Sequence, residues 1–357
     1  MSALMLFAAL SGAAPVPAPA PEDPMVRVTV DSARHEVVVV AGRWDLPNMP
    51  RMAAAMHDHG ASHDTPVQQF RWPVEGWFRG FRLEVRDRNG RLLPRRIMHH
   101  LIAVNYDRRQ LLYPAAERLF GAGTETDDAI IPASIGVPLA QGTNLGFYVA
   151  WHNDTGVDLE GVELTMRLEY SPANLNPRPL DVMPLYMDVN LTVGGGNSFD
   201  VPPGRSEKAY EFTLPLGGRL IGYSGHLHDY GVSVRLEDVE SGKVVARVTA
   251  TRDRQGKVSK VSRSLPGIRG AGVRLKANHR YRVVGTYNNP TGETLVNGAM
   301  AHIAALFAPD NVKAWPAVDL ADPTFQTDLA SLELRGTGGD GMDGHGHDAH
   351  DHADHQH

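Results

Sequence analysis

Residues 81–91 read Phe81-Arg82-Leu83-Glu84-Val85-Arg86-Asp87-Arg88-Asn89-Gly90-Arg91. From Phe81 to Arg86 apolar and charged side chains alternate, the two-residue period of a strand with one face on a core. Asn89-Gly90 then offers the two φ > 0 positions of a tight hairpin. The same grammar recurs in both directions. Val26–Val30, Glu36–Ala41, Leu101–Asn105, Leu145–Trp151, Val162–Tyr170, Ala209–Leu214, Val232–Asp238, Val244–Thr251, Tyr281–Tyr287 and Ala301–Phe307 all read as short strands. Glu240-Ser241-Gly242-Lys243 and Asn289-Pro290-Thr291-Gly292 read as further turns. No segment longer than about ten residues keeps a 3.6 period, and Arg51–His57 is at most a short helix. The expected class is all-β, built from antiparallel sandwiches rather than βαβ units.

At 357 residues the chain is long enough for two domains and a remainder. Pro172, Pro177, Pro179 and Pro184 interrupt the pattern around Ser171–Met183, which predicts a boundary there. The expected layout is one sandwich over 25–178, a second over 179–309, and a surface-draped tail over 310–335. Residues 336–357 are a Gly/Asp/His tract that cannot form a core and is expected to be disordered. Residues 1–24 read as a signal peptide or a disordered Ala/Pro-rich arm: the apolar run Leu4–Leu10 is followed by small residues, although no Lys or Arg precedes Arg27. A periplasmic or secreted protein is expected. No other run approaches the roughly eighteen apolar residues of a spanning helix, so no membrane span is expected in the mature chain.

Composition narrows the chemistry. A net charge of −6 without a basic cluster argues against nucleic acid as a partner. Zero Cys excludes disulfides, iron–sulfur clusters, thiolate zinc sites and cysteine nucleophiles. What remains is 17 His and 12 Met, and imidazole plus thioether without thiolate is a donor set that favours copper.

Four elements concentrate those donors. Met98-His99-His100 heads the strand Leu101–Asn105; neighbours on a strand point to opposite faces, so the pair can share one ion only where the strand bends or ends, and a surface pair is the commoner reading. His152 closes the run Leu145–Trp151, a place where a structural role is usual. Gly225-His226-Leu227-His228-Asp229-Tyr230-Gly231 places two His at i and i+2 on one face between glycines, a common metal pattern. Met300 and His302 share a face of the last strand, and Met300 by itself reads as an ordinary core methionine. Outside these, Met49, Met52, Met56, His57, His59 and His63 form a Met/His loop suited to Cu(I) capture or simply a flexible insertion. His345, His347, His350, His352, His355 and His357 in the tail suit weak metal scavenging. His35 and His279, beside charged residues, are expected to be solvated.

In chain order the four elements resemble the copper type II, ascorbate-dependent monooxygenases, the family of peptidylglycine α-hydroxylating monooxygenase and dopamine β-monooxygenase. The resemblance spans roughly 76–309. It includes Leu119-Phe120-Gly121-Ala122-Gly123 through Ile131-Pro132, Ile135-Gly136-Val137-Pro138-Leu139, and Asp158-Leu159-Glu160-Gly161-Val162-Glu163-Leu164 after the third histidine. It implies two tandem jelly-roll sandwiches facing each other across a cleft, with two copper ions per chain. By the same resemblance His99, His100 and His152 hold the electron-transfer copper; His226, His228 and Met300 hold the copper where dioxygen binds. The implied reaction hydroxylates a C–H bond of an unidentified small molecule with O2 and a one-electron donor such as ascorbate. No catalytic group beyond the metal ligands is indicated, and a monomer is expected.

The departures from the family pattern are specific. The disulfides of the family are absent. Ser224 stands where the peptide-amidating enzymes place an Arg that anchors the substrate carboxylate, which argues against a peptidylglycine substrate. His302 and Ala304 stand where those enzymes place an Asn and a Tyr. His302 is a further candidate ligand, able to fill the open position. That leaves two rival expectations: a non-catalytic copper-binding or sequestering protein on the same scaffold, and a plain carbohydrate- or protein-binding sandwich with incidental histidines.

Overall fold

The computed structural model describes residues 25–49, 63–194 and 196–335. The alternation at Phe81–Arg86 is realised: Phe81, Leu83 and Val85 are buried while Arg82, Glu84 and Arg86 face outward on the strand Gly76–Arg86. Opposite them on Leu159–Pro172 stand Leu168, Met166 and Leu164, which in turn face Val37, Val39 and Ala41 on Glu36–Leu46. This three-strand row of side chains is the floor of the first core. Each fully buried aliphatic or aromatic chain there contributes about 1.5–3 kcal/mol of transfer free energy.

The sheet containing that row runs Val26–Asp31, Glu36–Leu46, Leu159–Pro172, Gly76–Arg86, Ile135–Leu139 and Leu180–Asp181, with Ala129–Ile130 paired to Gly76–Arg86. A second sheet, His63–Asp64, Asn144–Trp151, Met98–Arg109 and Ala116–Gly123, with Gln68–Arg71 also on Asn144–Trp151, packs on it. Residues 183–309 build another four-stranded sheet, Met183–Asp188, Ala301–Pro309, Gly218–Leu227 and Val273–Leu275. Its companion is the five-stranded sheet Gly204–Leu214, His279–Asn289, Gly231–Asp238, Val244–Arg252 and Val258–Val261, beside a two-stranded ladder of Phe199–Val201 with Leu295–Ala299. Among the described strands every pairing is antiparallel except Leu180–Asp181 with Ile135–Leu139. The chain is all-β, and its large apolar side chains divide into two main cores.

Three local expectations are corrected. Only Gly90 takes a positive φ in the Asn89-Gly90 turn (77°); the Asp87 carboxylate accepts from the backbone N–H of Asn89 and Arg91, so the turn is built on an aspartate rather than on two left-handed residues. The first sheet runs on through Leu180–Asp181, and Val182 joins the first core. Residues 310–335 are not simply draped: they include the helix Pro323–Glu333, capped by the Asp322 carboxylate. That helix buries Phe325 and Leu332 against Val104, Ala116 and Tyr148. His279 is buried, not solvated, with Nε2 3.0 Å from Asp238 and Nδ1 3.3 Å from Glu240. Arg51–His57, residues 1–24 and 336–357, and Met52, Met56, His57 and His59 of the Met/His loop lie outside the described residues.

Candidate metal centre

His99 and His100 should point to opposite faces of Met98–Arg109, and a β-bulge prevents it. Ala150 pairs with His100 but Trp151 pairs with Met98, so His99 is the extra residue. A bulge re-aims side chains, and the two imidazole rings end 4.1 Å apart. Met98, fully buried, fixes the bulge from the core side. From the other half, His226 sits one residue before the end of Gly218–Leu227 and His228 just beyond it. Gly225 lets this strand close on Ala301–Pro309, because a Cβ there would stand 2.3 Å from the His302 carbonyl oxygen.

The two halves bring these side chains to one place. Ring centres of His100 and His226 are 4.9 Å apart, of His226 and His228 4.9 Å, of His100 and His228 5.6 Å, and of His99 and His228 6.1 Å. One ligand nitrogen from each of His99, His100 and His228 lies within 4.8 Å of the others. The His100 and His226 Nε2 atoms are 3.3 Å apart. Two nitrogens bound at 2.0–2.1 Å to one tetrahedral ion are separated by about 3.3 Å, so this pair has the spacing of two ligands on a common metal. The resemblance placed His99 and His100 on one copper and His226 and His228 on another; here they form one cluster at the junction of the halves. His152 lies outside the group of three close nitrogens, at the strand end where its N–H bonds the Ile97 carbonyl. The backbones of Met300 and His228 are bridged by Tyr287, whose hydroxyl accepts from the His228 N–H and donates to the Met300 carbonyl.

Glu125 is a candidate site residue that the sequence does not single out. It is 6% exposed, comes from the first half, and its Oε1 is 2.6 Å from His226 Nδ1. Gly123 makes room for it, since a Cβ there would meet the carboxylate at 2.4 Å. Burial disfavours charge on both partners, but their mutual attraction and hydrogen bond outweigh it: His226 is held above its ordinary pKa and Glu125 below. With Nδ1 engaged by the carboxylate, Nε2 is the His226 nitrogen that faces His100 and would take a metal in place of its proton, the outer-shell arrangement found around metal-ligating imidazoles.

A second polar group backs the cluster. His302 is the cross-strand neighbour of both His226 and Asp188. The Tyr186 hydroxyl donates to Asp188 Oδ2 at 2.5 Å and accepts from Asn197 Nδ2 at 3.1 Å. Its single proton is thus used, so its 3.3 Å contact with His302 Nδ1 assigns the His302 proton to Nδ1 and leaves Nε2 bare. Burial, and then the neighbouring His226, push the His302 pKa down to about 3. No spacing rule links Glu125 to a histidine 101 residues away, or Tyr186 and Asp188 to His302; only the sheet registers reveal them.

No protein-family profile and no curated protein sequence matches the chain. Among solved structures it is similar to the major capsid protein P2 of bacteriophage PM2, at 12% identity and a TM-score of 0.31 over 75% of this chain and 97% of that one. It is also similar to a putative secreted protein of Parabacteroides distasonis, at 11% identity and TM-score 0.17 over 80% and 92% of the two chains. Likenesses of this degree carry no implication for the site.

Proposed function

We propose that the chain is an exported copper protein of the ascorbate-dependent monooxygenase type, with two tandem jelly-roll sandwiches that hold the metal between them. The observation that carries this reading is the convergence of His99 and His100 with His226 and His228, backed by Glu125 on His226. All-imidazole donors without a thiolate suit a copper that cycles between Cu(I) and Cu(II), and the chain has no thiol for it to oxidise. The net reaction is R–H + O2 + 2 e⁻ + 2 H⁺ → R–OH + H2O, with ascorbate or a similar donor supplying the electrons singly. The missing carboxylate anchor at Ser224 favours a small substrate without a terminal carboxylate. A second reading, copper sequestration, is favoured by His302: a bare Nε2 beside His226 would help close the shell.

The test is oxygen uptake by copper-loaded protein with ascorbate, followed across a panel of aliphatic and benzylic C–H compounds. Uptake coupled to a hydroxylated product, and abolished by His226→Ala, supports the oxygenase. Tight copper binding with no uptake supports sequestration. No copper binding sinks both.

A further inference from the structure

Beyond His302 the aromatic rings continue to the surface. Ring centres step from His226 to His302 (5.3 Å), from His302 to Tyr186 (4.6 Å), from Tyr186 to Tyr113 (6.5 Å) and from Tyr113 to Tyr210 (6.3 Å). Tyr210 lies on the outward strand Gly204–Leu214 and is 39% exposed, whereas Tyr113 is 5% exposed. Aromatic packing alone accounts for rings at this spacing. It does not account for Asp188, a fully buried carboxylate hydrogen-bonded to the Tyr186 hydroxyl and braced by Asn197. A phenol that loses an electron becomes a strong acid, and a carboxylate already on its O–H receives the proton without movement.

We propose that Tyr186, Tyr113 and Tyr210 form a one-electron escape route that drains an unspent oxidant from the metal centre to a donor at the protein surface. The proposal rests on the copper–dioxygen reading above, which supplies the oxidant: a reduced copper centre that has reacted with O2 and found no substrate. In the first step the Tyr186 phenol gives one electron to the centre and its proton to Asp188, leaving a phenoxyl radical. Tyr113 then returns one electron and one proton to Tyr186, and Tyr210 does the same for Tyr113. Ascorbate at the surface restores Tyr210 by giving up one electron and one proton. The centre gains one electron, Asp188 gains one proton, and the donor is oxidised by one electron. Because tunnelling weakens exponentially with distance, four short steps outrun one long jump from the centre to solvent. The route shields nearby oxidisable groups, Met300 above all, which would otherwise end as sulfoxide.

The experiment uses the full chain, copper-loaded to a stoichiometry fixed by titration, reduced, freed of donor, and mixed with oxygen without substrate. Samples frozen at intervals are read by electron paramagnetic resonance, and matched samples are mapped for oxidised residues. The wild type is expected to show a tyrosyl radical that later ascorbate quenches. In Tyr186→Phe the radical is lost, and oxidation of Met300 and the cluster histidines rises. In Tyr210→Phe, a surface change that spares the fold, the radical forms but resists quenching. A radical on tryptophan would overturn the route, pointing instead to the Trp44–Trp151 pair at 5.5 Å next to His152. So would a tyrosyl signal and damage pattern unchanged in Tyr186→Phe, or, should that variant not fold, quenching unchanged in Tyr210→Phe. Oxygen uptake without a tyrosyl radical sinks the route alone. Copper that does not bind, or consumes no oxygen, sinks the oxygenase reading and the route with it.

Discussion

Burial alone would neutralise both Glu125 and His226, their mutual attraction favours the charged forms, and that tension sets their titration. His226 has a folded pKa above its ordinary 6.5, so its stabilisation is full below that value and is lost as pH rises through the raised pKa. Glu125 has a folded pKa below 4.5, so its stabilisation is full above that value and is lost as pH falls through the lowered one. His302 has the opposite sign from His226: as pH falls from 6.5 toward about 3, the unfolded chain takes up a proton that the folded chain refuses, and stability is lost. Urea midpoints of the metal-free protein between about pH 7 and 4 should therefore decline less in His302→Asn than in the wild type; equal slopes would refute the assignment. Glu125→Gln keeps an acceptor for Nδ1–H but removes the charge, and should weaken copper about 10–100-fold in a chelator competition. It should also lower the metal-free midpoint, because the mutual stabilisation of the Glu125–His226 pair is lost. An unchanged affinity would show the carboxylate to be a packing partner only. The histidines themselves were legible in the sequence as His99-His100 and His226-x-His228. Glu125 was not, because a lone acid after a strand carries no signal until the fold brings it across.

At the scale of elements, the strands were readable because side-chain alternation is a local property, as Phe81–Arg86 and Val162–Tyr170 show. The bulge at His99 was not readable, since a bulge is a mismatch between two strands and neither strand alone encodes it. The helix Pro323–Glu333 was missed although Asp322-Pro323 is a start signal; its buried residues Phe325, Asp328 and Leu332 make too narrow a stripe for periodicity to reveal. It docks through Asp328, 2% exposed, which accepts from the Ala116 N–H and from two nitrogens of Arg118. Removing one partner of a buried pair leaves the other charge stranded, so Asp328→Ala should destabilise by about 3–5 kcal/mol. Phe325→Ala should destabilise by a similar amount, about 3–5 kcal/mol, through the cavity it leaves. Denaturant unfolding measures both; losses near zero would mean that the helix is not part of the cooperative unit.

For the whole molecule, the all-β class followed from the sequence, while the relation between the halves did not. Chain order says nothing of distance, so the resemblance alone does not bring the two histidine pairs together. The register of Met98–Arg109 with Asn144–Trp151, and of Gly218–Leu227 with Ala301–Pro309, carries the two histidine pairs to one junction. Among the described residues no helix is long and apolar enough to cross a membrane. The central claim is that His100 and His226, one from each half, act on one metal. A double-mutant cycle of copper affinity with His100→Ala and His226→Ala measures it, in a chelator buffer that keeps isolated histidines empty. Each single change should weaken binding, and their effects should be coupled by about 0.5–3 kcal/mol, as for groups sharing one partner. Losses that simply add would place the two histidines on independent sites and contradict it.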